Sequence, residues 1–299
     1  MQKDRLSNLL HLHVIVFIYG FTAILGKLIS LDSLPLVWYR MGLAAFFIYL
    51  YIRASKFTLR VTKKTLLWFI FAGIVVALHW VTFFMAIKVS TVSVALAMMS
   101  TGAFFTAILE PILFKRKVVG YELLFGVLVI LGLYLIFRVE SNHLYGMVIA
   151  LVSSLLAAIF SIVNAQLVKK NGPSVISFYE LGIGSIFLSL LLGVTGGFTS
   201  DFFAVQTADW WYLIILALLC TSYAFIASVK IMRVLTAYTV MLTNNLEPVY
   251  GILMAWVFFG AREQMNPLFY VGALIILLTV IANGILKHST SKKQTSAKE

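Results

Sequence analysis

The stretch TNNLEPVYG, Thr243 to Gly251, gathers two amides, a carboxyl and a proline inside an otherwise apolar run. Between Leu235 and Phe259 the only other polar side chains are Thr236, Tyr238 and Thr239 near one end, and Trp256. Asn244 and Asn245 can each donate and accept hydrogen bonds, and Glu247 can exchange a proton or hold a positive group. Pro248 has no N–H, so within a helix it frees the carbonyl of Asn244 and bends the chain. Three more groups stand alone in apolar surroundings: Arg40, His79 and Glu180. Such a set could bind a polar solute or pass a proton. No nucleophile-and-base pattern, metal-ligand spacing or Gly-rich phosphate loop accompanies it. The expectation is therefore no catalytic residue, no metal and no cofactor. Cys220 is the single cysteine, which excludes an intrachain disulfide, and His11 and His13 have no third ligand near them.

The elements that position these groups follow from composition. Of 299 residues, 62% are hydrophobic and 11% charged, and the mean hydropathy is +1.00, far from the make-up of a water-soluble domain. A membrane-crossing helix needs about 20 mainly apolar residues. Charges, prolines and glycines divide the chain into ten such runs: 8 to 29, 33 to 52, 65 to 87, 91 to 114, 119 to 138, 143 to 168, 173 to 196, 209 to 231, 235 to 259 and 267 to 287. None alternates as a membrane barrel strand would. The fold class is an all-α integral membrane protein with ten transmembrane helices. The first run, though preceded by Lys3 and Arg5, has no small-residue cleavage site and is read as a span rather than a signal peptide.

Basic residues set the orientation. With the N-terminus inside, only Lys27, Lys88, Arg138 and Arg262 of the 23 Lys and Arg fall in outer loops, and Arg40 lies within a span. The rest, including Lys115, Arg116 and Lys117 and the lysines of the C-terminal tail, lie on the cytoplasmic side. Both termini are expected in the cytoplasm of a multi-pass cell (inner) membrane protein. The net charge of +12 is explained by that bias and by anionic lipid headgroups, and a nucleic-acid partner is not expected.

The chain also repeats. Displaced by 146 residues, Ser90 falls on Thr236, Val94 on Val240, Phe104 on Tyr250, Lys117 on Glu263 and Gly126 on Gly272; near the start WYRMG (Trp38 to Gly42) matches FYELG (Phe178 to Gly182). Two five-helix halves are implied, residues 1–140 and 141–288, followed by a basic cytoplasmic tail at 289–299. An odd number of spans per half makes the repeats inverted, an arrangement in which a solute site lies near the midplane between the halves. Glu247 then sits about 18 Å into the ninth span at roughly 1.5 Å per residue.

At about 100° per residue, Val240, Thr243, Asn244, Glu247, Tyr250, Gly251 and Met254 share one face of the ninth span. Asn245 points nearly the other way, where an interhelical hydrogen bond is expected. Moved back by 146, that face becomes Val94, Ala97, Met98, Thr101, Phe104, Phe105 and Ile108 on the fourth span, an apolar and aromatic wall opposite a polar one. His79, with Trp80 beside it and Phe83 one turn on, and Thr221, Ser222 and Tyr223 lie at similar depth on the third and eighth spans; a lone His there either bonds a neighbouring carbonyl or faces a cavity. Gly182 and Gly184, and Gly126 and Gly132, are read as permitting close helix packing.

Ten helices in two inverted halves, the LEPVYGI and HWVTFFMAIKVST segments and a Gly-rich final helix in each half resemble the EamA branch of the drug/metabolite transporter superfamily. Two departures stand out: Gly102 replaces a proline common in the family's fourth helix, and the ninth helix ends Gly260, Ala261, Arg262, Glu263 rather than in an adjacent Gly-Glu. The resemblance implies a transporter and points to the His79 region as a cavity wall. It also suggests export, of solutes drawn from amino acids, other metabolites, quaternary amines and nucleotide-linked compounds. The substrate-binding candidates are His79, Trp80, Phe83, Met98, Thr101, Tyr223, Asn244, Glu247 and Tyr250. Arg40, Glu180, Asn245 and Pro248 are read as gate or structural polar groups. The expected function is a secondary transporter, a probable exporter, of small amphipathic metabolites such as amino acids. It works as monomer or homodimer in a lipid bilayer, with proton coupling through Glu247 as a candidate. An importer of a small cationic or quaternary amine and a membrane-embedded enzyme remain as alternatives.

Overall fold

The computed structural model describes residues 2–114, 120–235 and 237–296; Lys115, Arg116, Lys117, Thr236 and Lys298 lie outside the described residues. Fourteen α-helices follow one another: α1 Gln2–Leu28, α2 Ser33–Ala54, α3 Lys63–Val89, α4 Val92–Met99, α5 Gly102–Phe114, α6 Gly120–Val139, α7 Leu144–Leu167, α8 Pro173–Val194, the short α9 Ser200–Phe203, α10 Thr207–Ala217, α11 Ala224–Ile231, α12 Ala237–Asn244, α13 Glu247–Phe259 and α14 Pro267–Ser296. A π-helical segment, Leu218–Tyr223, joins α10 to α11. Among the described residues there is no strand.

Among the described residues seven helices are long and apolar enough to cross a membrane: Ser7–Leu28, Ser33–Ala54, Lys63–Val89, Val92–Leu113, Ser141–Leu167, Pro173–Val194 and Thr207–Ile231. The other runs of the sequence fall on shorter apolar pieces, Leu124–Val139 and Pro267–Thr279, and on the broken pair α12 and α13. Apolar rows point away from the bundle as lipid-facing helices require. On α6, Leu124, Val127, Leu131 and Tyr134 are exposed while Val129 and Ile136 are buried.

Local chemistry explains the ends. Thr62 accepts the N–H of Thr65 to start α3, and Thr91 accepts that of Val94 to start α4. Pro173 opens α8 and Pro267 opens α14, where a missing N–H costs nothing. The packing repeats when the halves are exchanged: α2 lies on α8, α6 on α14 and α4 on α13, while α3 packs against α7 as α1 packs against α10 and α11. Where α6 crosses α14 the exchange is literal. A Cβ on Gly132 would lie 2.9 Å from the carbonyl oxygen of Gly272, and one on Gly272 would lie 2.8 Å from that of Gly132.

The two glycines of α8 differ. A Cβ on Gly184 would come 2.9 Å from the carbonyl oxygen of Gly73 on α3, whereas one on Gly182 would meet nothing within 4 Å. Gly184→Ala should therefore cost about 1–3 kcal/mol through forced separation of α3 and α8. Gly182→Ala should leave stability unchanged or slightly higher, since alanine favours helix by roughly 1 kcal/mol. Thermal unfolding of the two variants in detergent would compare them; equal midpoints would show that the crossing does not constrain the fold.

Candidate functional site

Three irregular stretches of helix meet at one place. The first is the break between α12 and α13 at Asn245 and Leu246. The sequence predicts a kink at Pro248, but the helix stops and restarts, with Pro248 in the first turn of α13. The second is the break between α4 and α5 at Ser100 and Thr101, one residue from the position that the 146-residue displacement would give. Gly102 supplies no proline ring there. Instead the hydroxyl of Ser100 donates to the carbonyl of Ala97 at 2.6 Å, and that of Thr101 to the carbonyl of Met98 at 2.7 Å, so side chains compete with the backbone ladder. The third is the π-helical segment, where the hydroxyls of Thr221 and Ser222 donate five residues back to the carbonyls of Leu216 and Ala217 at 2.7 and 2.8 Å.

Between these stretches and helices α1, α2, α3 and α7 lies a cavity whose water-accessible core is about 90 Å³, against roughly 10–15 Å³ for a single water. Arg40, 2% exposed, reaches it from α2. Its Nε donates to Thr221 Oγ1 at 2.6 Å and its Nη2 to the carbonyl of Cys220 at 3.4 Å. The guanidinium lies 3.8 Å from the centre of the Trp80 ring, a cation–π contact strengthened by burial. Arg40 Nη1 has no partner in the protein; neither have Asn164 Oδ1, Asn244 Oδ1 and Asn245 Nδ2, all on residues lining the same cavity. Glu247 lines it as well, and its carboxyl and the Arg40 guanidinium act on each other electrostatically.

His79 satisfies both readings of a lone membrane histidine. It lines the cavity, and its Nδ1 lies 3.0 Å from the carbonyl oxygen of Ser153, while Ser153 Oγ donates to the carbonyl of His79 at 2.8 Å. Nδ1 also lies 2.9 Å from Ser153 Oγ; a bond to the Ser153 carbonyl requires the tautomer with the hydrogen on Nδ1, which leaves Nε2 for other chemistry.

Of the sequence candidates, the cavity gathers His79, Trp80, Phe83, Asn244 and Glu247, and with them Arg40, Asn245 and Pro248. Met98 and Thr101 are not among its lining; both are fully buried, Thr101 Oγ1 also reaching Ser154 Oγ at 3.0 Å, and Met99 faces the cavity instead. Tyr250 packs edge-on to Phe17 on α1. Asn245 was expected on the far face, and the reason for its position is the break: a continuous angular count from α12 loses its phase there. Tyr223, in the π segment, is outside the lining, 44% exposed and hydrogen-bonded to His11 Nε2 at 2.8 Å. Glu180 is fully buried outside the lining and accepts from Asn164 Nδ2 at 3.1 Å, so it does not pair with Arg40.

Sequence reasoning passed over Tyr19 and Thr22 on α1, Ser161 and Asn164 on α7, and Ser228 on α11. For Tyr19 and Thr22, and for Ser161 and Asn164, the available signal was their spacing, two polar residues three apart on the first span of each half. It also passed over Glu263, taken for an outer-loop residue. Its carboxylate accepts the N–H of Val92 and of Ser93 and the hydroxyl of Ser93, at 3.1, 2.9 and 2.9 Å, and is 2% exposed. Among the described residues no group of three His, Cys, Asp or Glu could hold a metal ion.

The sequence model of the EamA-like transporter family matches residues 7–138 and again 144–284. Two curated proteins of Archaeoglobus fulgidus, both described as an uncharacterized transporter, are 25% identical over 152 residues and 22% identical over 209 residues. The first alignment covers 51% of this chain and 52% of the relative; the second covers 69% and 71%. The chain thus spans about half the length of the first relative in the matched region. A solved crystal structure, 13% identical, superposes with a TM-score of 0.68 over 94% of this chain and 98% of its own, a likeness of fold.

The link from Arg40 to the π segment is testable. Thr221→Val leaves the buried Nε without its acceptor and should lower stability by about 1–3 kcal/mol, whereas Thr221→Ser, which keeps the hydroxyl, should recover most of the loss. Matching melting temperatures for wild type and the valine variant would show that Thr221 does not hold the guanidinium.

Proposed function

The chain belongs to the EamA-like transporter family, and from that premise we propose that it is a secondary transporter, working as an exporter, of small amphipathic metabolites such as amino acids. The observation that carries this reading is the cavity's mixed chemistry. Arg40 Nη1 and Asn245 Nδ2 offer hydrogen-bond donors, Asn164 Oδ1 and Asn244 Oδ1 offer acceptors, and none is used by the protein. Trp80, Phe83, Phe160 and Phe225 supply apolar wall. A solute carrying both an anionic and an amino group on an apolar body would satisfy donors and acceptors together. A quaternary amine fits less well: the face of Trp80 that would hold it is occupied by the Arg40 guanidinium.

In this reading residues 1–140 and 141–288 are inverted five-helix repeats, ten spans in all, with both termini cytoplasmic, a tail at 289–299 and the cavity near the midplane of a cell membrane. The exchange-related packing of the helices supports the two-fold relation, and the positive-inside bias supports the orientation. His79, Trp80, Phe83, Asn244 and Glu247 are the proposed substrate contacts, joined by Arg40 and Asn245. Pro248 holds the break open. Alternating access rocks one repeat against the other around this site, and a proton competes with the solute for Glu247.

Two measurements test the proposal in proteoliposomes. Counterflow against panels of amino acids and amines should give exchange with amino acids; exchange confined to quaternary amines would replace the substrate assignment. Glu247→Gln keeps shape and hydrogen bonding but removes the titratable group. It should still exchange solute for solute while pH-driven accumulation falls to the level seen without a gradient. Accumulation unchanged in the variant would leave Glu247 a binding or structural role only.

A further inference from the structure

One residue behind the cavity wall lies a carboxyl that this mechanism does not use. Glu180 on α8 is 0% exposed. Its Oε2 accepts from Asn164 Nδ2 at 3.1 Å, while its Oε1 and Asn164 Oδ1 have no partner in the protein. Among the described residues the buried carboxyl is thus held by one donor and keeps one unpaired oxygen.

Among the described residues no cation is paired with the carboxyl. On the elements packed against α8, Arg40 of α2 is turned to Thr221 and Cys220, and His79 of α3 to Ser153. Lys63 and Lys64 at the start of α3 and Lys230 near the end of α11 are exposed, and Lys88 at the other end of α3 donates to the carbonyl of Ile29 at 2.8 Å. The hydrogen bond that Glu180 accepts comes from Asn164. An ionised carboxylate here is an isolated buried charge, the costliest state a side chain can adopt. One proton removes the charge and turns an orphaned acceptor into a donor. Two protein oxygens are too few to replace the water shell of a metal cation, so a proton is the ligand that fits.

We propose that Glu180 and Asn164 form a second proton-binding site, one side chain removed from the transport cavity and separate from Glu247. Asn164 lines the cavity and bonds Glu180, so it is the link between them. The step is the uptake of one proton from cavity water by the Glu180 carboxylate and its return to that water; no bond to carbon changes. As a carrier of coupling protons the site rests on the transporter reading, but its binding of a proton does not.

Infrared spectroscopy of the full chain in liposomes tests the binding directly. In neutral buffer, the Glu247→Gln variant should still show a carboxylic-acid carbonyl band that disappears on a jump to alkaline buffer, and the further change Glu180→Gln should abolish it. Asn164→Leu removes the donor to that carbonyl and should move the band to higher wavenumber, a readout that stands even where Glu180→Gln fails to fold. A band absent from Glu247→Gln, or persisting after Glu180→Gln, or unmoved in Asn164→Leu, would overturn the proposal. Because no solute is carried in this measurement, a failure of amino-acid counterflow sinks the transporter reading alone.

Discussion

Backbone polar groups at membrane depth must find partners, because lipid offers none. This constraint organises the protein. Regular helices satisfy it by themselves, so the places where the chain departs from regular helix are the places that need protein or a polar cavity around them. There are three such departures: the break at Ser100 and Thr101, the break at Asn245 and Leu246, and the π segment at Leu218–Tyr223. Met99, Cys220, Asn244 and Asn245, at or next to these departures, all line one cavity. The remaining helices wall it in and turn their outer faces to lipid.

The three departures are solved by different chemistry, and the difference gives the cavity its polarity. The Ser100–Thr101 break is closed on itself, its hydroxyls spent on the carbonyls of Ala97 and Met98, so it presents only Met99. The Asn245–Leu246 break is left open by Pro248, and two amides and a carboxyl stand where the backbone is irregular. The π segment turns the Thr221 hydroxyl and the Cys220 carbonyl toward α2, where both are taken by Arg40. That engagement is what allows a guanidinium at this depth. Among the described residues one of its nitrogens, Nη1, is nevertheless left unpaired.

Much of this was legible before any coordinates. Composition alone carried the all-helical membrane class, because long apolar runs have few other physical solutions. The residues that reach the cavity from regular helix, Arg40, His79, Trp80 and Phe83, and those at the lip of the break, Asn244 and Glu247, are conspicuous as polar or bulky groups at mid-run. What failed was angular bookkeeping across irregular backbone. Asn245 and Tyr250 were placed by counting at about 100° per residue through a break, while Tyr223 was placed by depth alone, which does not tell which side of a helix faces the cavity. Tyr19, Thr22, Ser161 and Asn164 went unnoticed because uncharged polar groups in a span look like ordinary interhelical hydrogen-bond partners. Contacts such as that of Glu263 with α4 join residues far apart in the chain, and no local pattern reports them.

Glu263 belongs to a wider difference between the two ends of the bundle. At the end formed by the loops around Ile29, Val89, Glu140 and Glu263, charged side chains of one half bind backbone of the other. Glu263 holds the first turn of α4, Asp209 accepts the N–H of Ser30 at 3.0 Å, and Glu140 accepts that of Asn266 at 2.9 Å. Within the first half, Lys88 donates to the carbonyl of Ile29. Hydrogen bonds to charged groups contribute about 1.5–3 kcal/mol each, and Glu263 and Asp209 are nearly inaccessible to solvent. Toward the other end, Tyr179 donates to the carbonyl of Leu59 and Tyr223 bonds His11 across the halves, and Arg233 donates to the carbonyls of Val168 and Asn171 within its own half. Opening the first end would expose buried carboxylates and strip the α4 N-terminus of its cap at once. Under the alternating access proposed above, the bonds there are released as a set, and the change is a switch between two arrangements of the halves.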